Sequence, residues 1–365
     1  MIVVVAPYFD PAYKAGGPIK SLKMVCQLFQ QQGWEYKVVT RDYDIDGQTL
    51  PEANRRSDTE YVRKPRISFY RNAFKEADVI WINSLYSLPF GLLPLLALAS
   101  FSGKQVLLSP RGQLLPGAVS YSKKLYLKLV KLGLKRSKND ITIHYTNEED
   151  IKKSLPIFRS FKHRVFNNPI EGNINDTSTS ASLKPFTIAF FGRIAPIKNI
   201  EFIISLLTDI PEASFQIHGT AENTSYKESL VQLIREKKLD DRVHFMGAYD
   251  KTNFAAKFEG VTVGVIPSFS ENFCHVFFEI IEQRKLVVAS DGLPWEKVNA
   301  YLPNTVLPLQ HEPWLRRFQH IEALTDEEYR EEQQKLLDFY GNFNQSVKNE
   351  IIDNFTSLIQ HTHED

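Results

Sequence analysis

Phe186-Thr187-Ile188-Ala189-Phe190-Phe191-Gly192-Arg193-Ile194-Ala195-Pro196-Ile197-Lys198-Asn199 is the stretch that decides the fold. Its first six residues carry no charge and read as a strand buried on both faces, the habit of a parallel sheet. A glycine and a first cation follow at once. Pro196 closes the turn before a second cation, Lys198. Downstream the alternation repeats, with strand-like runs at Ser214–His218, Arg242–Met246, Val261–Ile266 and Leu286–Ser290 and a helical pattern at Ser225–Lys237. Upstream lies a first series: Ile2–Ala6, a helix near Pro18–Gln32, then Tyr36–Thr40, Val79–Asn83, Gln105–Ser109 and Ile141–Tyr145. The stretch from Asn167 to Lys184 is rich in Ser, Thr, Asn and Asp and reads as an exposed linker. Two βαβ series on either side of a linker predict an α/β protein with two Rossmann-like, doubly wound domains. The expected division is residues 1–168, a linker at 169–184, a second domain at 185–342 and a final helical segment at 343–365. The charged helical tail from Thr325 is expected to break into two helices near Gly341-Asn342.

Composition narrows the function. The chain has 365 residues, 44 Lys+Arg against 43 Asp+Glu, and a net charge of +1. That balance argues against a whole-chain nucleic-acid binder, so no nucleic-acid partner is expected. Two cysteines, Cys26 and Cys274, cannot form a disulfide framework and read as free thiols of a reducing compartment. Met1–Ala6 has no basic leader, and Pro7 ends its apolar run. The longest apolar stretch, Leu88–Phe101, contains two prolines and a glycine and falls short of the roughly 20 residues of a spanning helix. The expected location is the cytoplasm, with at most a peripheral position on the inner face of a membrane.

In open α/β sheets ligands bind beyond the carboxyl ends of the strands, so residues that follow strands are the candidates. Lys14-Ala15-Gly16-Gly17-Pro18 follows the first strand. Its two glycines permit close backbone approach, and the helix start behind them suits a phosphate. It is neither GxGxxG nor a Walker loop, which removes support from nicotinamide enzymes and P-loop NTPases. Arg193 and Lys198 follow the strand Phe186–Phe191, where two fixed cations can neutralise a departing diphosphate. Pro267-Ser268-Phe269-Ser270-Glu271-Asn272-Phe273-Cys274-His275 follows Val261–Ile266 and leads into a helix that carries Glu279. Amides at that helix start suit an anion. Glu271 in the loop and Glu279 two turns along can accept hydrogen bonds from sugar and ribose hydroxyls. Each piece alone is also compatible with a plain turn, solvated loop cations or an exposed helix carboxylate.

Taken in order, these pieces resemble the retaining glycosyltransferases of family 4. Glu271 and Glu279 have that family's E-x7-E spacing. Gly16-Gly17-Pro18 through Ser21 is similar to its glycine loop, and Ser109-Pro110-Arg111-Gly112 to its S-P-R-G segment. Thr146-Asn147-Glu148-Glu149 resembles T-S-x-x-E. Asn168-Pro169 resembles its N-P segment. Gly192-Arg193 with Lys198-Asn199 resembles G-R-x-x-x-x-K-N. The resemblance covers the chain to about Trp295. It implies the GT-B fold, two Rossmann-like domains facing across a cleft, with acceptor on the first, nucleotide-sugar on the second, and the final segment 343–365 crossing back onto the first; from the residues alone that segment could equally pack on the second. It implies that Arg193 and Lys198 bind the donor diphosphate, with Gly16 and Gly17 lining it from the first domain. Glu271, with the amides of Asn272, Phe273 and Cys274, would hold the transferred sugar, and Glu279 the ribose. Arg111 joins the substrate-binding set. No metal and no cofactor are expected, because the two cations do the electrostatic work.

The expected activity is therefore transfer of a sugar, with retention, from a nucleotide-sugar to a glycan or lipid-linked acceptor in bacterial surface polysaccharide synthesis. A nonhydrolysing nucleotide-sugar epimerase of the same fold and a non-catalytic donor-binding scaffold are the alternatives. Two departures prompt the latter. Many relatives have Gly at Cys274 and in the turn Gln283-Arg284-Lys285, and many carry a first-domain histidine where this chain offers Asn83-Ser84 and Ser109. Asp42-Tyr43-Asp44-Ile45-Asp46-Gly47 imitates an EF-hand loop but has Ala53 at its twelfth position. Ser120–Lys138 places Lys124, Lys128, Lys131 and Lys135 on one helical face, with leucines on both sides. It reads either as a surface for anionic lipid or as a surface helix whose leucines face its own core.

Overall fold

A computed structural model describes the chain except residues 15–16, 115–120, 171–173, 175–183, 222–223, 250–253, 272 and 361–365, and the side-chain surroundings at 17, 121 and 149. Gly16, Asn272, His361, His363 and most of the expected linker thus lie outside the described residues. The chain divides into two compact units, Met1–Glu171 with Gln345–Asp365, and Gly172–Asn344.

Unit 1 runs β1 (Ile2–Val5), α1 (Gly17–Gln31), β2 (Tyr36–Thr40), β3 (Thr59–Tyr61), α2 (Ile67–Ala73), β4 (Val79–Ile82), α3 (Leu93–Ala97), β5 (Ser102–Leu108), α4 (Tyr121–Lys135), β6 (Lys138–Tyr145), α5 (Glu148–Lys153) and β7 (Lys162–Val165). Its seven strands are all parallel, in the order β3-β2-β1-β4-β5-β6-β7. The uncharged strands β1 and β4 are buried throughout, because helices cover both faces of such a sheet. The edge strands β3 and β7 escape the sequence reading. They are short and carry Glu60, Lys162, His163 and Arg164, the charges that keep an exposed edge from pairing with another chain.

Unit 2 runs β8 (Thr187–Phe191), α6 (Ile200–Leu206), β9 (Ser214–His218), α7 (Thr224–Glu236), β10 (Val243–Gly247), β11 (Val263–Ile266), α8 (His275–Glu282), β12 (Leu286–Ser290), β13 (Val306–Leu307), α9 (His311–Ala323) and the first part of α10 (Asp326–Gln360), whose residues from Gln345 onward belong to unit 1. Its six parallel strands are ordered β10-β9-β8-β11-β12-β13. This is the 3-2-1-4-5-6 Rossmann order, and the reversal falls between β8 and β11. α8 approaches closely at Gly264 of β11, where an added Cβ would lie 2.6 Å from the Ile280 side chain. That contact sets the depth of the helix that carries Glu279.

The tail departs from expectation. α10 is one continuous helix of 35 residues, with Gly341 inside it. It begins with a capping box: Thr325 Oγ1 accepts from the Glu328 N–H, while Glu328 Oε2 accepts from the Thr325 N–H at 2.8 Å. A helix-interior glycine costs about 1 kcal/mol. Packing on both sides of Gly341 outweighs that cost. Phe339, Tyr340 and Phe343 join the rings of Phe278 and Trp295 in unit 2. Further along, Phe355 packs against Phe29 and Trp81 of unit 1, and Arg164 bonds Asn354 and Ser357. Among the described residues, no helix is long and apolar enough to cross a membrane.

Candidate functional site

The reversal point of unit 2 lies between the carboxyl ends of β8 and β11, and the two candidate loops leave from those ends. Lys198 closes a 3-10 turn, Pro196–Lys198, after β8. Its Nζ meets Glu271 Oε1 of the β11 loop at 2.5 Å, with the two side chains only 16% and 12% exposed. Ser268 Oγ donates to the same carboxylate oxygen at 2.7 Å. The loop is held from β8 and β12 together. The Phe269 N–H bonds the Ile197 carbonyl, and the Glu271 N–H bonds the Gly292 carbonyl at 3.0 Å. Ser290 Oγ donates to the Ser268 carbonyl. Gly292 is required here, because a Cβ would lie 2.6 Å from the carbonyl oxygens of both Ser268 and Phe269.

Cys274 caps α8 in the left-handed conformation, φ 58°. Its thiol is pushed up by burial, then by the Glu271 carboxylate, with Lys198 opposing and Glu279 adding. Tyr249, beyond β10, is likewise pushed up by burial, then by Glu279 and Cys274. Lys198, Glu271, Cys274, Glu279 and Tyr249 therefore share one electrostatic neighbourhood. Arg193 follows β8 directly and is exposed. Phe273 turns inward: its ring packs on Trp295, whose Nε1 donates to the Phe273 carbonyl at 2.7 Å.

The family resemblance points to Ala248-Tyr249 near the base; sequence reasoning missed the rest of an aromatic wall beside these groups. His218 stacks on Phe191 with centroids 4.5 Å apart, and Phe258 stacks on Phe191 at 4.2 Å. Tyr249 and Phe254 meet Phe191 edge-on. Burial holds the His218 pKa down at about 4, with Lys257 adding to the effect. No local pattern announces the full wall, because Phe191 ends β8, His218 ends β9, and Tyr249, Phe254 and Phe258 follow β10.

In unit 1, Gly17 opens α1, and the acidic loop after β2 supports the segment before it. Asp44 Oδ2 accepts from the N–H groups of Tyr13 at 3.0 Å and Lys14 at 3.2 Å, and Lys14 Nζ pairs with Asp46. The EF-hand look-alike is thus a brace for the glycine loop. Among the described residues, no group of three His, Cys, Asp or Glu is placed to hold a metal. Arg111, also left-handed (φ 52°), bonds Asn83 Oδ1 through Nε at 3.2 Å and Nη2 at 2.8 Å, and Asn168 Oδ1 through Nη1. Burial brings its pKa down to about 10, with Asp150 opposing. Ser109 belongs to a different chain of bonds. Trp81 Nε1 donates to Ser109 Oγ at 2.7 Å, Ser109 to His144 Nδ1 at 2.8 Å, and His144 Nε2 to the Phe166 carbonyl at 3.0 Å. A carbonyl only accepts, so Nε2 carries a proton, and because burial keeps the ring neutral Nδ1 accepts from Ser109. Both of its nitrogens are satisfied in the core, and burial together with Arg111 holds its pKa at about 3.

Two parallel-sheet α/β units with this site at the reversal point place the chain with the GT-B glycosyltransferases in fold. Residues 174–301, all within the second unit, match the model for glycosyl transferases group 1. Among curated relatives, the D-inositol 3-phosphate glycosyltransferase of Mycobacterium leprae is 28% identical over 130 residues, 34% of this chain and 27% of that protein. The O-antigen chain mannosyltransferase RfbU of Salmonella typhimurium is 26% identical over 208 residues, 57% of this chain and 58% of that protein. The chain thus spans between about a quarter and three-fifths of these relatives. Among solved structures, Anabaena Alr3699/HepE in complex with UDP superposes with a TM-score of 0.72 at 16% identity, over 98% of this chain and 99% of that one. Sucrose-phosphate synthase from Thermosynechococcus elongatus gives 0.70 at 16% identity, over 98% and 99%. At these identities the superpositions show the fold.

Proposed function

We propose that this chain is a retaining glycosyltransferase of family 4. It would move a sugar from a nucleotide-sugar to a hydroxyl of a glycan or lipid-linked acceptor during bacterial surface polysaccharide synthesis. The observation that carries the reading is the Lys198–Glu271 pair, which joins the β8 and β11 loops at the reversal point beside Cys274 and Glu279. The UDP complex of HepE and the activity named for RfbU favour a nucleoside diphosphate donor and a polysaccharide setting.

In this reading the diphosphate lies at the start of α8 against Arg193 and Lys198. The bond between the anomeric carbon and the donor phosphate oxygen breaks, and the nucleoside diphosphate leaves with the electron pair. The acceptor oxygen bonds the anomeric carbon on the same face, and its proton passes to the departing phosphate oxygen. Fixed cations lower this barrier because charge grows on the leaving group in the transition state. Lys198 has three N–H donors, so it can hold Glu271 and a phosphate oxygen together. Glu271 would then hold the sugar, Glu279 the ribose, and the Tyr249–Phe191 wall the base. No metal is needed for these roles. A peripheral position on a membrane would suit a lipid-linked acceptor.

The test is a thermal-shift screen of nucleoside diphosphates and nucleotide-sugars with wild type, Arg193→Ala and Glu279→Gln, followed by transfer assays on the donor that binds. A preferred diphosphate should raise the Tm of wild type and lose its effect in both variants. Absence of binding by any nucleotide would end the proposal. Interconversion of a nucleotide-sugar without acceptor would establish the epimerase instead, and glycan output in cells unchanged by Arg193→Ala and Glu271→Ala would favour the scaffold.

A further inference from the structure

Helix α4 carries apolar side chains on two opposite faces, and only one is used by the fold. Leu127, Val130 and Leu134 are buried in the core of unit 1. Leu125, Leu129 and Leu132 lie on the other side and are 59%, 63% and 46% exposed. At 100° per residue these three form a stripe opposite the buried one, and Lys124, Lys128, Lys131 and Lys135 form a band along its flank. The helix contains five lysines and no acidic residue. Helix α3 packs beside α4 and exposes Leu96 (47%), and Leu88 in the segment before α3 is 61% exposed. Every exposed leucine among the described residues belongs to this region.

Exposed leucines cost solubility, and a uniformly cationic flank excludes a cationic or neutral-polar partner. A surface with an apolar stripe along one line and lysines beside it matches the depth profile of a bilayer surface, acyl chain below and anionic headgroup above. A second copy fits poorly, because the lysine bands of two copies would repel. We infer that the outer face of α4 is a docking surface for an anionic lipid membrane. It inserts Leu125, Leu129 and Leu132 among the headgroups and sets Lys124, Lys128, Lys131 and Lys135 against lipid phosphates. This deepens the peripheral position named above but uses none of the donor-site residues.

The experiment is co-sedimentation of the full chain with vesicles of phosphatidylcholine alone or with a third phosphatidylglycerol, at low and high salt. Wild type should bind the anionic vesicles at least about tenfold more tightly than the neutral ones and lose most of that at high salt. A Leu125→Ser/Leu129→Ser/Leu132→Ser variant and a separate variant with all four lysines changed to Gln should each lose about tenfold or more. Circular dichroism and the melting profile check that both stay folded, since Leu127, Val130 and Leu134 are untouched. Equal binding to both vesicle types, or binding unchanged in either folded variant, overturns the inference. So does a dimer in sedimentation velocity that the leucine variant dissolves while vesicles remain unbound. The assay contains no donor or acceptor, so its failure would leave the transferase reading standing.

Discussion

Lys198 and Glu271, 73 positions apart in sequence, are joined at 2.5 Å and tie the loop after β8 to the loop after β11. Nothing but the order of the strands brings them together. Removing either member leaves a largely buried charge without its partner, which costs about 3 kcal/mol in comparable settings. Lys198→Ala and Glu271→Ala should each lower stability, and the double variant should lose clearly less than their sum. Urea unfolding of the four proteins reads the coupling, expected at about 1–3 kcal/mol. Strict additivity would show that the pair carries no energy.

Gly292 should be intolerant of the smallest side chain. A Cβ would press on the carbonyls of Ser268 and Phe269 at 2.6 Å, so Gly292→Ala must displace the loop that carries Glu271. A cost of about 1–3 kcal/mol is expected from such overpacking. Nucleotide-induced Tm shifts should shrink with it. An unchanged melting point and an unchanged nucleotide response would contradict the geometry.

Cys274 and Arg284 both have positive φ, 58° and 52°, a conformation that favours glycine. Cys274→Gly removes a left-handed penalty of about 1–2 kcal/mol and gives back up to about 1 kcal/mol in chain entropy. It should be neutral to mildly stabilising, whereas Cys274→Val should be clearly destabilising. The wild-type thiol, half-buried and pushed up by desolvation and then by its carboxylate neighbours, should react slowly with Ellman's reagent at pH 8 until the protein is unfolded. Rapid labelling of the native protein at Cys274 would refute this.

Acid should weaken the fold before its carboxylates titrate. His144 and His218 have folded-state pKa values of about 3 and about 4, depressed from 6.5. Below pH 6.5 the unfolded chain takes up protons that the folded one refuses. Stability from these two groups is therefore full above about pH 6.5 and falls between there and about pH 4, by roughly 1.4 kcal/mol per pH unit for each histidine. Urea unfolding at pH 7 and pH 5 should differ accordingly, and His218→Asn should reduce the slope. A flat profile across that interval would count against neutral burial of both rings.

The strands that build the centres of both sheets were legible because burial on two faces demands uncharged runs, and Ile2–Val5, Val79–Ile82 and Thr187–Phe191 supply them. The loops worth watching were legible for the same reason, since they begin where such runs stop. The edge strands β3 and β7 were not, because an edge must look polar. Nor was the continuity of α10, since Gly341 is a breaker by local preference and survives through ring packing contributed from far along the chain.

For the site, chain order alone determined which residue types follow which strand: Arg193 and Lys198 after one, Glu271 and Glu279 after another. Three things were decided only by tertiary structure. Lys198 bonds Glu271, a ring wall of Phe191, His218 and Tyr249 stands beside Glu279's neighbourhood, and the outward leucines of α4 are bare. The physical reason is range. Burial and backbone preference act on neighbours a few residues apart and leave a periodic trace. A contact between strand ends, or the absence of a cover over a helix face, depends on what the rest of the chain brings to that place.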